Sequence, residues 1–216
     1  MSIEAVIFDM DGVLFDTEKL CMDSWIAIAG ERNIPDMEVF FPRCIGRNLT
    51  DTRMLFGEFY GELYDYEEFR KQASTWFHGY IEKNGIPMKK GVKELLEYLR
   101  RGGYKIGLAS STSRHSVEDH LERAGIREYF QSLTTGDMVE HSKPQPDIYL
   151  MACKSLEVNP AQTMAIEDSP NGIRAAHAAG MIPVMVPDLI APDQEMREKS
   201  SLICHDLLEV MRFFDK

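Results

Sequence analysis

The chain has 216 residues, 44% of them hydrophobic, and a formal net charge of -11 from 35 acidic and 24 basic side chains. That length suits one or two domains with a sizeable core, and the acidic balance argues against a nucleic-acid partner or an anionic membrane surface. No apolar run approaches the ~20 residues of a membrane span and no basic, apolar leader precedes the first strand, so a cytoplasmic protein is expected.

Ile3, Ala5, Val6, Ile7 and Phe8 form the short apolar run of a strand buried on both faces, which stops at Asp9. If the strand persists to Asp11, the two carboxylates share a face roughly 6–7 Å apart, and Gly12 then lets the backbone turn. Carboxylates so close repel unless a cation sits between them. Hard divalent ions such as Mg2+ take oxygen ligands of this kind, and a carboxylate can attack phosphorus. An Asp-rich turn after a strand is the other reading of these residues taken alone.

Asp16 or Thr17 then caps a helix with Cys21, Trp25 and Ile28 on one stripe. The pattern stays helical to about residue 85. Leu55 and Phe59, then Phe69, Ala73, Trp76, Phe77, Tyr80 and Ile81, recur at helical spacing and read as the packed core of a bundle. The acids at Asp65, Glu67 and Glu68 suit a helix N-terminus.

Asn84-Gly85-Ile86-Pro87 marks a change of character. Val92 to Leu99 reads as a helix closed by Gly102-Gly103, followed by a strand at Ile106–Ala109. A helix from about Arg114 to Ala124 stops at Gly125, and a weak strand near Leu133–Thr135 leads to the loop holding Lys143. Pro146 suits the first turn of a helix ending near Leu156. Met164–Ile166 is a strand, Ser169 a helix cap, Pro170 the first helical residue and Gly180 the stop. Ile182–Val186 and Leu202–Cys204 are further strands before a final helix.

This alternation predicts an α/β fold: a Rossmann-like parallel sheet core, 1–16 and 86–216, with an α-helical domain, 17–85, inserted after the first strand. In such sheets ligands bind beyond the carboxyl ends of the strands. That rule gathers Asp9, Asp11, Ser110, Lys143, Glu167 and Asp168 around one crevice, with the inserted helices expected to cover it. Each residue has a task if a phosphate group lies there. Asp168 joins Asp9 in holding Mg2+, with Glu167 supporting them. Lys143 supplies a point charge. Ser110 supplies a hydroxyl, and the Ser111 and Thr112 amides an anion nest.

Four motifs, F-D-M-D-G-V at Phe8–Val13, L-A-S-S-T-S at Leu108–Ser113, S-K-P-Q-P-D at Ser142–Asp147 and I-E-D-S-P-N-G-I at Ile166–Ile173, resemble those of the haloacid dehalogenase superfamily, in its β-phosphoglucomutase-like branch with a helical cap. The resemblance implies a Mg2+-dependent phosphatase acting on a small phosphate monoester, such as a sugar phosphate, through an aspartyl phosphate. It makes Asp9 the nucleophile and Asp11 the general acid and base. Ser110 and Lys143 become the phosphate-binding pair. Mg2+ is held by Asp9, the Asp11 backbone carbonyl and Asp168, with Glu167 less clearly assigned. A small phosphorylated metabolite is the expected partner, and the chain a monomer or weak homo-oligomer.

A phosphohexomutase of β-phosphoglucomutase type is the alternative within the family. Mutase sequences usually carry a His in the first cap helix, where this chain has Cys21, and their Gly-x-Ser-Arg cap segment is here Gly46-Arg47-Asn48-Leu49-Thr50. Both departures favour the phosphatase. Arg47 is the cap residue expected to meet the substrate, a solvated arginine being the other reading. A catalytically silent phosphometabolite-binding protein is the alternative of another class. Neither a zinc site nor a disulfide framework is suggested by Cys21, Cys44, Cys153 and Cys204, and the six histidines show no ligand spacing.

Overall fold

The computed structural model describes residues 3–45 and 49–214. In chain order they form β1 (Ala5–Phe8), α1 (Thr17–Arg32), α2 (Met37–Phe40), α3 (Leu49–Tyr60), α4 (Tyr66–Asn84) and α5 (Val92–Arg101), then β2 (Lys105–Ser110), α6 (Arg114–Arg123) and β3 (Ser132–Thr135). There follow α7 (Asp147–Leu156), β4 (Thr163–Glu167), α8 (Pro170–Ala178), β5 (Ile182–Met185), α9 (Gln194–Lys199), β6 (Leu202–Ile203) and α10 (Leu207–Phe213). No helix among the described residues is long and apolar enough to cross a membrane. Two compact units result: one runs to Asp16 and resumes at Met88, and the other is Thr17–Pro87.

The first unit is built on a six-stranded parallel sheet in the order β3-β2-β1-β4-β5-β6. All four β1 residues are buried, as a central parallel strand covered on both faces requires. Strands 2 and 3 extend to one side of β1 and strands 4 to 6 to the other, so the topological switch lies at β1 and β4, where such sheets bind ligands. Register sets which side chains meet there. Phe8 pairs with Leu108 on one side and Ile166 on the other, so Asp9 emerges level with Ala109 and Glu167. Ser110 is level with Thr135 one step further.

Local signals account for the element ends. Ser169 caps α8 by accepting from the Gly172 amide, with Pro170 in the first turn, and Gly180 follows the helix with φ 72°. Pro146 is the residue before α7 rather than within its first turn, and α9, capped by Asp193, is a short helix that periodicity did not reveal.

The helical unit is held by aromatic packing. Trp25 sits edge-on to Phe41 and Phe69 at 5.3 and 5.2 Å, and Phe56 adjoins Phe40, Tyr66 and Phe69. Phe40, Phe56 and Phe69 are almost completely buried, each worth about 1.5–3 kcal/mol over exposure. The predicted stripe is corrected at Phe59 and Tyr80, which are exposed; Phe56, one turn before Tyr60, carries the contact expected of Phe59. Asp65 caps α4 by accepting from Glu68 N–H. Gly46, Arg47 and Asn48 lie outside the described residues, and with them the expected Arg47 contact.

Candidate active site

The strand ends at Phe8, before either aspartate, so the expected shared strand face of Asp9 and Asp11 does not exist. A tight loop replaces it. The Asp9 amide donates to the Ile166 carbonyl at 2.9 Å, the Met10 carbonyl accepts from Leu14 and Phe15, and Gly12 turns at φ 80°. A Cβ on Gly12 would fall 2.3 Å from Asp168 Oδ2, so glycine is needed both for the turn and for the close approach of β1's loop to β4's.

Lys143 is brought to this point from the loop before α7. Its ammonium has three donors, and they go to Asp9 Oδ1 at 2.5 Å, Glu167 Oε1 at 2.6 Å and the Ala109 carbonyl at 3.0 Å. Burial works against its charge, but Asp9 and Glu167 outweigh it and raise its pKa. Asp9 is itself pushed up to about 8, chiefly by burial; Lys143 opposes this, while the nearby charges of Glu167 and Asp11 add to it.

Oxygens of Asp9, Glu167 and Asp168 lie within 4.8 Å of one another. Three carboxylates against one ammonium leave an excess of negative charge, and the donors are all hard oxygens, which fits a divalent cation such as Mg2+. Glu167 is the most enclosed of the three. Its Oε1 also accepts from Tyr149 Oη at 2.6 Å, its Oε2 from Ser169 Oγ at 3.3 Å, and a Cβ on Gly172 would overlap the carboxylate at 1.9–2.0 Å. The Asp11 carboxylate is outside this trio and accepts from Thr112 Oγ1 at 2.9 Å.

Ser110 is buried at the end of β2, and its Oγ accepts from the Thr112 amide at 3.1 Å. Of the two amides expected to form an anion nest, that of Thr112 thus already donates to the Ser110 hydroxyl. Ser111 is exposed. The loop after β3 braces this segment from below: Gly136 N–H donates to Thr112 O at 3.1 Å, and a Cβ there would lie 2.1 Å from Ser111 O. The Asp137 carboxylate accepts from the Arg114 amide and from Thr135 Oγ1. Gly136, Gly172 and Tyr149 were not legible as site residues. A glycine adjoining a predicted strand or helix start was the only available signal for the first two. His120 is buried edge-on to Phe15 at 6.1 Å, a packing role.

The family model of haloacid dehalogenase-like hydrolases matches residues 6–186. The chain is 33% identical over 183 residues to a phosphorylated carbohydrates phosphatase of Thermotoga maritima, covering 83% of this chain and 82% of the relative. It is 32% identical over 212 residues to a Bacillus subtilis beta-phosphoglucomutase, covering 93% and 92%. A crystal structure of a putative beta-phosphoglucomutase from Thermotoga maritima superimposes with a TM-score of 0.82 at 29% identity, over 99% of both chains. With a buried lysine joined to a carboxylate at the end of the first strand and a parallel sheet of matching topology, the chain belongs to the haloacid dehalogenase-like hydrolases.

Proposed function

We propose that this phosphoric monoester hydrolase acts on a small sugar phosphate in the cytoplasm, with Asp9 as nucleophile. The observation that carries the reading is the Lys143 ammonium bonded to Asp9 Oδ1 and Glu167 Oε1, with the Asp168 carboxylate close by. A lysine so placed opposes the protonation that burial favours and aims the carboxylate. An Asp9 oxygen attacks phosphorus and the bond to the leaving oxygen breaks, that oxygen taking a proton from Asp11. Asp11, steadied by Thr112 Oγ1, then accepts a proton from the water that attacks the aspartyl phosphate. Inorganic phosphate leaves and the Asp9 carboxylate is restored.

Ser110 offers its hydroxyl proton to a phosphoryl oxygen, since its lone pair already serves the Thr112 amide. Asp9 and Asp168, together with the Asp11 backbone carbonyl and with Glu167 beside them, would hold Mg2+, which when bound supplies positive charge against the phosphoryl oxygens. The helical unit is the cap in this reading, and Arg47 its substrate contact. The phosphatase named among the relatives supports a phosphorylated carbohydrate as substrate. Cys21 in the first cap helix speaks against a mutase, because a thiol does not replace an imidazole in acid–base work near neutral pH.

The test is release of inorganic phosphate from a panel of sugar phosphates and other small monoesters, with Mg2+ and with chelator, using Asp9→Asn as the blank. Metal-dependent release that vanishes in Asp9→Asn is expected. Fast conversion of β-glucose 1-phosphate to glucose 6-phosphate with little release would establish the mutase instead, and no turnover of any kind would leave a binding protein.

A further inference from the structure

Tyr149 has no part in the chemistry above, yet its hydroxyl reaches the centre of the site. It is the third residue of α7 and is completely buried, among Ile148, Ala152, Cys153 and Leu156 on the face turned to the sheet. An apolar side chain would serve packing alone. The phenol instead donates to Glu167 Oε1 at 2.6 Å, the same oxygen that Lys143 Nζ reaches at 2.6 Å, and the ammonium lies 5.0 Å from the centre of the ring.

Two carboxylates therefore draw on one ammonium. Nζ is 2.5 Å from Asp9 Oδ1 and 2.6 Å from Glu167 Oε1, and its third proton is committed to the Ala109 carbonyl. A second donor on Oε1 shares that oxygen's negative charge and weakens its pull on the ammonium. It also fixes where Oε1 stands, in concert with Ser169 on the other oxygen and Gly172 hard against the carboxylate. Where Oε1 stands decides where Nζ stands, and hence whether Nζ meets Asp9. The aromatic face adds a weak attraction for the cation.

We infer that Tyr149 is a positioning residue: its hydroxyl holds Glu167 so that Lys143 is directed at Asp9. It touches neither substrate nor the reacting atoms. The kinetic part of the inference rests on the phosphatase reading above.

Tyr149→Phe removes the hydroxyl and keeps the ring. It is compared with Glu167→Gln and the double variant in a steady-state assay with Mg2+ and, separately, in urea unfolding with chelator. Tyr149→Phe should lower kcat about tenfold, at the low end of what groups behind a site contribute, with KM and the Mg2+ requirement changed by less than about twofold. In the Glu167→Gln background the same change should cost less than about twofold in kcat, and the two substitutions should be non-additive in urea. An unchanged kcat, or a loss of equal size in both backgrounds, would overturn the inference, the latter marking a packing role. Should the wild type release no phosphate, the phosphatase reading fails, but the urea cycle still decides this one: coupling between the two positions upholds it and additivity refutes it.

Discussion

In the helical unit the buried polar side chains among the described residues are Thr17, Ser24 and Thr52, hydroxyls every one, whereas the α/β unit buries Asp9 and Glu167 along with Ser110, His120 and three threonines. The two units thus obtain order by different means. Aromatic rings around Trp25, Phe40 and Phe56 supply apolar area, which stabilises in proportion to what is removed from water. Carboxylates buried beside β1 and β4 lose hydration and are tolerated only because Lys143, Tyr149 and Ser169 pair with them. Charge kept in a low-dielectric place at a cost to stability is the arrangement expected of a reactive site.

The sharpest way to break that contrast is Lys143→Met. It leaves Asp9 and Glu167 buried without their cation, so stability at pH 8 in chelator should fall by about 3–5 kcal/mol. Phosphate release should fall by about 10²–10³. Urea unfolding and a phosphate assay check both, and an unchanged urea midpoint would show that the network does not bear on stability.

Phe40→Ala makes the complementary cut in the helical unit. Phe40 is completely buried between Trp25, Phe56, Phe59 and Tyr60, and its loss should cost about 3–4 kcal/mol. Titration calorimetry with Mg2+ should find the affinity of the folded protein unaltered, because no carboxylate is touched. A large loss of metal affinity would mean that the two units are not energetically separable.

A further effect concerns pH. With its pKa pushed up to about 8 by burial, Asp9 retains a proton in the native state that the unfolded chain has already lost above the ordinary carboxylate value. Native protein binds more protons in that window, so its stability falls as pH rises from about 4 to 8. In chelator the urea midpoint should be lower at pH 8 than at pH 5. Asp9→Asn should flatten the slope, and a slope that survives the substitution would assign the titration elsewhere.

Much of this was legible because the signals are local. Alternation of short apolar runs with helical stripes, Ser169-Pro170, Asp65 before α4 and the glycines after helices each restrict dihedral angles or satisfy a helix end within a few residues. The positions of Asp9, Ser110, Glu167 and Asp168 followed, because each comes just where an apolar run stops. The geometry among them did not. Whether the strand persists to Asp11 was left open, since periodicity cannot report that the Met10 carbonyl draws in Leu14 and Phe15 and bends the chain. The bond from the Thr112 amide to the Ser110 hydroxyl left no local signal either.

The order of the strands, the fold class and the residue types at the strand ends were therefore determined by the sequence alone, through backbone preference and burial pattern. Only the tertiary structure decided that Lys143 divides its ammonium between Asp9 and Glu167, that Tyr149 holds the second of these, and that Gly12, Gly136 and Gly172 give room to Asp168, Ser111 and Glu167. The physical reason is separation along the chain. Lys143 and Asp9 are 134 residues apart, and such a pairing depends on parallel strand register and on which loops the sheet brings side by side, neither of which leaves a periodic trace in the residues themselves.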